Sequence, residues 1–128
     1  MASRIIKSKK KVKRISYKSL HKKAWKLMSR YVRLKYSDNG FIKCYTCGVV
    51  REIKDIDCGH YFHNKLDFDE RNLRPQCTRC NRYLHGNLAI YGAKLSQELG
   101  KAGMKKLLLD ANTKIYKYED LEKIIKSL

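Results

Sequence analysis

Apolar residues return every three or four positions along residues 19–36, at Leu20, Ala24, Leu27, Tyr31 and Leu34, with Met28 and Val32 widening the stripe. This period predicts an amphipathic helix whose other face carries Lys22, Lys23, Lys26, Arg30 and Arg33. The Ser37-Asp38-Asn39-Gly40 cluster ends it, since each of these residues favours a turn. Residues 53–61, with β-branched Ile53 and Ile56, then a polar loop over 64–71 and a return over 73–76, predict a short β-hairpin. A helix is expected to start just after Cys77 and stop near Gly86, and another to run over 88–99 and close at Gly100. Two shorter helical patterns, 104–110 and 119–127, read as packing elements; Leu121, Ile124, Ile125 and Leu128 share one side of the second.

Charge changes the picture at the N-terminus. Residues 1–35 hold fourteen lysines and arginines and no acid, and the acids begin only at Asp38. Over the 128 residues the formal net charge is +18. A polyanion is the expected partner, because neutralising phosphates releases condensed counterions; nucleic acid ranks ahead of an anionic membrane. Residues 1–15, with Lys7, Lys9, Lys10, Lys11, Lys13 and Arg14, read as a flexible arm that orders on a phosphate backbone, the plain alternative being a solvated tail or a localisation tag. Residues 16–128 are expected to form a single domain, the length suiting one core. No apolar run approaches the roughly 20 residues that cross a bilayer. The N-terminus also lacks the apolar stretch of a secretory signal, so a soluble, cytoplasmic protein is expected.

In a reducing compartment five cysteines point to metal ligation more than to disulfides. Cys44-x2-Cys47 and Cys77-x2-Cys80, separated by 29 residues, have the spacing of two knuckles that place four thiolates around one zinc ion. Gly48 directly after Cys47 permits the tight backbone of such a turn. A closed four-cysteine site has no open coordination position, so this zinc is structural and catalysis must lie elsewhere. Cys58 has no partner at metal spacing and reads as a small, semi-buried hydrophobe.

Between and beside the knuckles stand Asp57-Cys58-Gly59-His60, Asn72-Leu73 and Asn81. An acid and a histidine on a hairpin, an Asn-Leu pair ahead of the second knuckle and an Asn opening the next helix resemble the HNH, or ββα-metal, endonucleases. From Tyr17 onward the chain is similar to the phage NinG/Rap recombination nucleases, most clearly at CYTCG, DCGHY and ERNLRPQCTRCNRYLHGNLAIY. The zinc arrangement with an Asn after the last cysteine also resembles phage endonuclease VII. The implied fold is α+β, a small zinc-stabilised ββα-metal core over about residues 41–87 with a basic N-terminal helix and additional C-terminal helices.

The resemblance implies roles for individual residues. His60 would be the general base, an imidazole able to take a proton from water near neutral pH. Asp57 and Asn81 would hold one catalytic Mg²⁺ or Mn²⁺ through hard oxygen ligands. Asn81 could instead cap backbone amides. His85, four residues on, is either a further ligand or phosphate contact or a plain surface histidine. HNH enzymes commonly carry Asp or His directly before the base, where this chain has Gly59. Asp57 lies on the same face of a strand as that position, and Gly59 suits a bulge that would close the gap; Asp55 and His63 are the alternative ligands. Asn72 would fix the loop carrying the base through backbone hydrogen bonds. Arg74, Arg79 and Arg82 are candidate phosphate contacts, as are Lys22, Lys26 and Arg30 on the helix and Lys9, Lys10, Lys11, Lys13 and Arg14 on the arm.

The expected function is therefore single-metal hydrolysis of DNA phosphodiesters to 5′ phosphate and 3′ hydroxyl products. Branched recombination intermediates (Holliday junctions, flaps, D-loops) are the implied substrates. A homodimer would serve two symmetric cuts, through the helix at 19–36 or the C-terminal helices. The rival readings are a non-catalytic zinc-stabilised nucleic-acid-binding module and an HNH nuclease acting on linear duplex; no separate base-reading unit is visible for a site-specific enzyme.

Overall fold

A computed structural model describes residues 14–128. Lys9, Lys10, Lys11 and Lys13, and with them nearly all of the expected arm, lie outside the described residues. Helix α1 (Tyr17–Lys35) starts behind Ser16, whose side chain accepts a hydrogen bond from the Ser19 amide at 3.1 Å and so satisfies one of the open first-turn donors. Arg33 and Lys35 in its last turn suit the negative end of the helix dipole.

The buried row of α1 is Leu20, Ala24, Met28 and Val32, rotated from the stripe expected through Leu27, Tyr31 and Leu34. Met28 and Val32 pack on Cys58 and Leu73, while Leu20 and Ala24 pack on Leu121. Tyr31 and Leu34 stay exposed and, with Leu27 and Leu128, wall an open apolar groove. The apolar arc of this helix is wide enough to bury either row, and the position of its neighbours selects one.

Three very short strands follow, β1 (Ser37–Asp38), β2 (Phe41–Lys43) and β3 (Val50–Glu52), forming an antiparallel sheet in that order. Two or three residues are too few for alternation to show in a sequence, and this sheet was not expected. A 3₁₀ turn at Ile53–Asp55 leads into the hairpin, β4 (Ile56–His60) paired antiparallel with β5 (Leu73–Cys77). These bounds agree closely with the predicted hairpin.

The ladder runs without interruption from Ile56 opposite Cys77 to His60 opposite Leu73, so Gly59 is not a bulge, contrary to expectation. Its reason for being glycine is steric. A Cβ there would overlap Oε1 of Gln76 and lie 2.8 Å from its Cδ. Gln76 is fully buried and held by bonds from Nε2 to Thr46 Oγ1 at 3.1 Å and to the Gly86 carbonyl at 2.8 Å, so it has little freedom to retreat. Gly59→Ala is expected to destabilise the fold by about 1–3 kcal/mol through overpacking, read from urea denaturation. A variant as stable as wild type would mean that Gln76 can rotate away.

After the hairpin comes a five-residue π-helix, Arg79–Tyr83, rather than an α-helix reaching Gly86. Its i→i+5 bond joins the Leu84 amide to the Arg79 carbonyl at 2.8 Å. Left-handed φ at His85 (51°), Gly86 (94°) and Asn87 (47°) turns the chain away. Helix α2 (Leu88–Thr113) is broken at Gly100 (φ 72°, ψ 172°), which separates the two predicted helical segments as expected, though the second begins sooner. Helix α3 (Tyr118–Ser127) closes the described chain. Tyr91, Leu95, Leu107 and Ala111 of α2 pack on Leu66, fastening the long loop between β4 and β5. The whole is a small mixed α+β structure, and among the described residues no helix is long and apolar enough to cross a membrane.

Candidate functional site

Both cysteine pairs sit where short elements end. Cys44 and Cys47 occupy the turn between β2 and β3; Cys77 ends β5, and Cys80 lies in the π-helix. The four sulfurs all lie within 4.8 Å of one another, and Cys47 and Cys77 approach to 3.7 Å. Ligands about 2.3 Å from a tetrahedral zinc stand about 3.8 Å apart, so the cluster could hold a zinc ion. In each knuckle the second cysteine's amide donates to the first cysteine's sulfur at 3.5 Å. Burial works against the Cys44 thiolate, yet hydrogen bonds from Thr46 and neighbouring amides bring its pKa down to about 6. Cys77 is pushed up to about 12, by burial first and by the adjoining sulfurs. Four thiolates this close need a cation. Cys58 stands apart and buried, its thiol pushed up to about 12 by burial, as befits an inert hydrophobe.

The cluster joins β5 and the π-helix to the β2–β3 turn, and in doing so sets Asn81 beside β4. Asn81 Nδ2 donates to Asp57 Oδ2 at 3.1 Å instead of capping backbone amides. Arg82 grips the same carboxylate with two bonds, Nε to Oδ2 at 3.0 Å and Nη2 to Oδ1 at 3.1 Å. A cleft of 320 Å³ opens here, walled by Trp25, Ser29 and Arg33 of α1 and by Asp57, Asn81 and Arg82. The donor set fits a hard cation: a carboxylate and an amide oxygen reachable by rotating one terminal torsion. The Arg82 guanidinium is the positive charge that now occupies the carboxylate. Its side chain is 66% exposed, so the pair is worth no more than about 1 kcal/mol and is readily displaced. His85 is exposed and does not line the cleft; the helix that was to carry it beside Asn81 has ended at Tyr83. Asp55 and His63 are also exposed and away from the cleft.

His60 closes β4 on the face opposite Asp57, the side turned to α1. The indole of Trp25 stacks on its ring with centroids 4.4 Å apart and planes 24° from parallel. Its Nε2 lies 3.0 Å from Asp67 Oδ1, although the N–H is not well aligned with that oxygen, and this buried nitrogen has no other partner among the described residues. Asp67 also accepts from His21 Nε2 at 2.9 Å. The hydrogen bond with His60, ahead of other causes, holds the Asp67 carboxyl below its ordinary range. Fully buried Asn72 ties down the loop between His60 and Asp67: Oδ1 accepts from the Phe62 amide at 2.7 Å, and Nδ2 donates to the carbonyls of Phe62 (3.1 Å) and Lys65 (2.9 Å). Tyr91 Oη donates to the Gly59 carbonyl at 2.8 Å and steadies the strand next to His60.

Asp67, His21, Trp25 and Tyr91 were not singled out from the sequence. His21 and Trp25 stand four apart on one helix face, a signal that was available; Asp67 follows no spacing rule. Among the candidate phosphate contacts, Lys22, Lys26, Arg30, Arg79 and Arg82 are exposed. Arg14 is exposed too, its guanidinium 3.8 Å over the Tyr118 ring. Arg74 is a correction. It is 6% exposed, bonded to Glu98 at 2.7 Å and to the carbonyls of Glu70 and Leu73, and so belongs to the interior.

The geometry can be set beside known proteins. Residues 2–128 match the family model described as Bacteriophage Lambda NinG protein. The chain is 31% identical over 93 residues to protein ninG of Salmonella phage P22, covering 70% of this chain and 44% of that protein. It is 28% identical over 107 residues to protein ninG of Escherichia phage 933W (80% and 51%), and 27% identical over 107 residues to that of Escherichia phage lambda (80% and 50%). It thus spans about half the length of the curated relatives it matches. No solved structure matches it. With a family model covering nearly every residue and these relatives agreeing, the chain belongs to the bacteriophage lambda NinG protein family.

Proposed function

We propose that this chain is a metal-dependent HNH-type endonuclease acting on DNA, with branched recombination intermediates as its substrates. The observation that carries the reading is the meeting of Asp57 from β4 with Asn81 from the π-helix, 3.1 Å apart beside the 320 Å³ cleft. The β4–β5 hairpin followed by that short helix supports the ββα reading of the catalytic core. Asp57 and Asn81 would hold Mg²⁺ or Mn²⁺. When bound, the ion supplies a Lewis acid for the scissile phosphate and the departing 3′ oxygen. Two protein ligands suit an ion that keeps several waters and takes phosphate oxygens.

The residues of the chain do the rest. His60 takes a proton from the attacking water, with Trp25 fixing the plane of its ring. Arg82, released from Asp57, has a planar fork suited to a phosphate. Arg33 and Ser29 line the opposite wall of the cleft. Lys22, Lys26 and Arg30 continue the positive surface along α1, suited to backbone more than base contacts. Recognition by charge and shape fits a branched substrate.

One observation favours the non-catalytic alternative: Asp57, Asn81 and Arg82 already satisfy one another. The deciding experiment incubates the protein with labelled four-way junction, flap and linear duplex, each with Mg²⁺, Mn²⁺ or EDTA. Metal-dependent cutting of the branched substrates is expected. Failure to cut any substrate with either metal would leave only the binding module, and preference for the linear duplex would remove the branched assignment.

A further inference from the structure

His21 and His60 come from different elements, the first turns of α1 and the end of β4, yet the Nε2 of each lies within about 3 Å of one carboxylate. Asp67 Oδ2 lies 2.9 Å from His21, and Oδ1 lies 3.0 Å from His60. An ionised carboxylate can only accept hydrogen bonds, so each Nε2 facing it must carry its proton. In a neutral imidazole that leaves the lone pair on Nδ1. Asp67 is well placed to remain ionised: the hydrogen bond with His60 lowers its pKa most, and that with His21 adds to the effect against the opposing cost of burial. The Nε2 of His60 is buried without an aligned hydrogen-bond partner, and Asp67 Oδ1, 3.0 Å away, is the acceptor within its reach. The terminal torsion of the carboxylate is soft enough to let it turn toward that N–H.

We propose that Asp67, steadied by His21, is the positioning residue of His60: it fixes the ring as the Nε2–H tautomer, so that Nδ1 receives the proton of the attacking water. This rests on the reading of His60 as the general base. His21 occupies one carboxylate oxygen and turns the other to His60. Trp25, four residues after His21 on α1, covers the ring face, and Asn72 anchors the loop that leads to Asp67. The water proton moves to Nδ1, the hydroxide so formed attacks phosphorus, and the resulting imidazolium keeps its Nε2 proton toward Asp67. No proton passes to the carboxylate.

Nitrogen-15 spectra of the histidine rings read the tautomer directly in the zinc-loaded protein, at about pH 8 where an ordinary imidazole is neutral. His21 and His60 are both expected as Nε2–H. In Asp67→Asn, whose amide can also donate, His60 is expected to lose that single tautomer. With it, kcat on DNA should fall about 10- to 100-fold while KM changes by less than about threefold, part of the 10²–10⁴ that a general base contributes. His21→Ala should lower kcat several-fold; an unchanged kcat would remove His21 from the arrangement. A wild-type His60 in the Nδ1–H form, or unchanged ring shifts in Asp67→Asn, would overturn the proposal, and the wild-type spectrum decides even where the variant does not fold. A wild type that cuts no DNA would instead overturn the nuclease reading while the spectrum still tests the tautomer, so the two failures are separable.

Discussion

Replacing Cys77 with serine is expected to empty the metal cluster and unfold the hairpin and the π-helix together. Cys77 ends β5 and is both a cluster member and part of the core formed with Ile42, Cys44, Ile56 and Cys80. Three of those five buried residues are themselves cysteines of the cluster, so little hydrocarbon is left to hold this end of the molecule without an ion. A structural zinc contributes on the order of 10–16 kcal/mol in small zinc-binding peptides, against a total stability of about 5–15 kcal/mol for an ordinary domain. Losing even a third of that contribution, about 3–5 kcal/mol, would approach the low end of that range. A serine hydroxyl is a poor ligand, and three remaining thiols would be left crowded around a weakened site. One zinc per wild-type chain is expected by elemental analysis, with loss of both zinc and the cooperative thermal transition in Cys77→Ser. Cys58→Ser is the control, expected to keep its zinc because Cys58 lies outside the cluster. A Cys77→Ser protein with wild-type metal content and melting temperature would show that the cluster is not what holds the fold.

His60→Ala is expected to lower the turnover of DNA by about 10²–10⁴, the usual contribution of a general base, while zinc content and DNA affinity stay close to wild type. Removal of the ring leaves Asp57, Asn81 and the basic surface intact, so binding and chemistry should separate. Because Trp25 stacks on the ring, His60→Gln should accompany it to refill part of the volume without restoring the base. Single-turnover cleavage with Mg²⁺ or Mn²⁺ is the measurement, with circular dichroism as the check on folding. Undiminished cleavage by both variants would exclude His60 from the mechanism.

Asp57 tests how far local pattern carries. Strand parity correctly put it on the face that Gly59 shares, and the structure joins it to Asn81. The bulge expected at Gly59 to close the gap between Asp57 and His60 is absent. Gln76, on the partner strand of the hairpin, leaves no room for a side chain at position 59. A packing constraint between two strands has no signature in either strand alone. Nearness in sequence to the site was a poor guide for Arg74, which lies inside the core against Glu98, and of the two readings of His85 the exposed one fits its place at the start of a left-handed turn.

What the sequence by itself determined are the features that depend on local spacing. The two Cys-x2-Cys knuckles bring their own geometry within four residues, the hairpin bounds follow from short-range composition, and Gly100 interrupts its helix because glycine tolerates a positive φ. Tertiary structure decided which row of α1 is buried, since a broad apolar arc has no preference until the hairpin and α3 meet it. It decided, too, that His21, Trp25 and Asp67 surround His60. His21 and Trp25 lie on α1, tens of residues before His60, while Asp67 lies in the loop that follows it, and only the docking of α1 across β4, with Asn72 fastening that loop, brings these groups together.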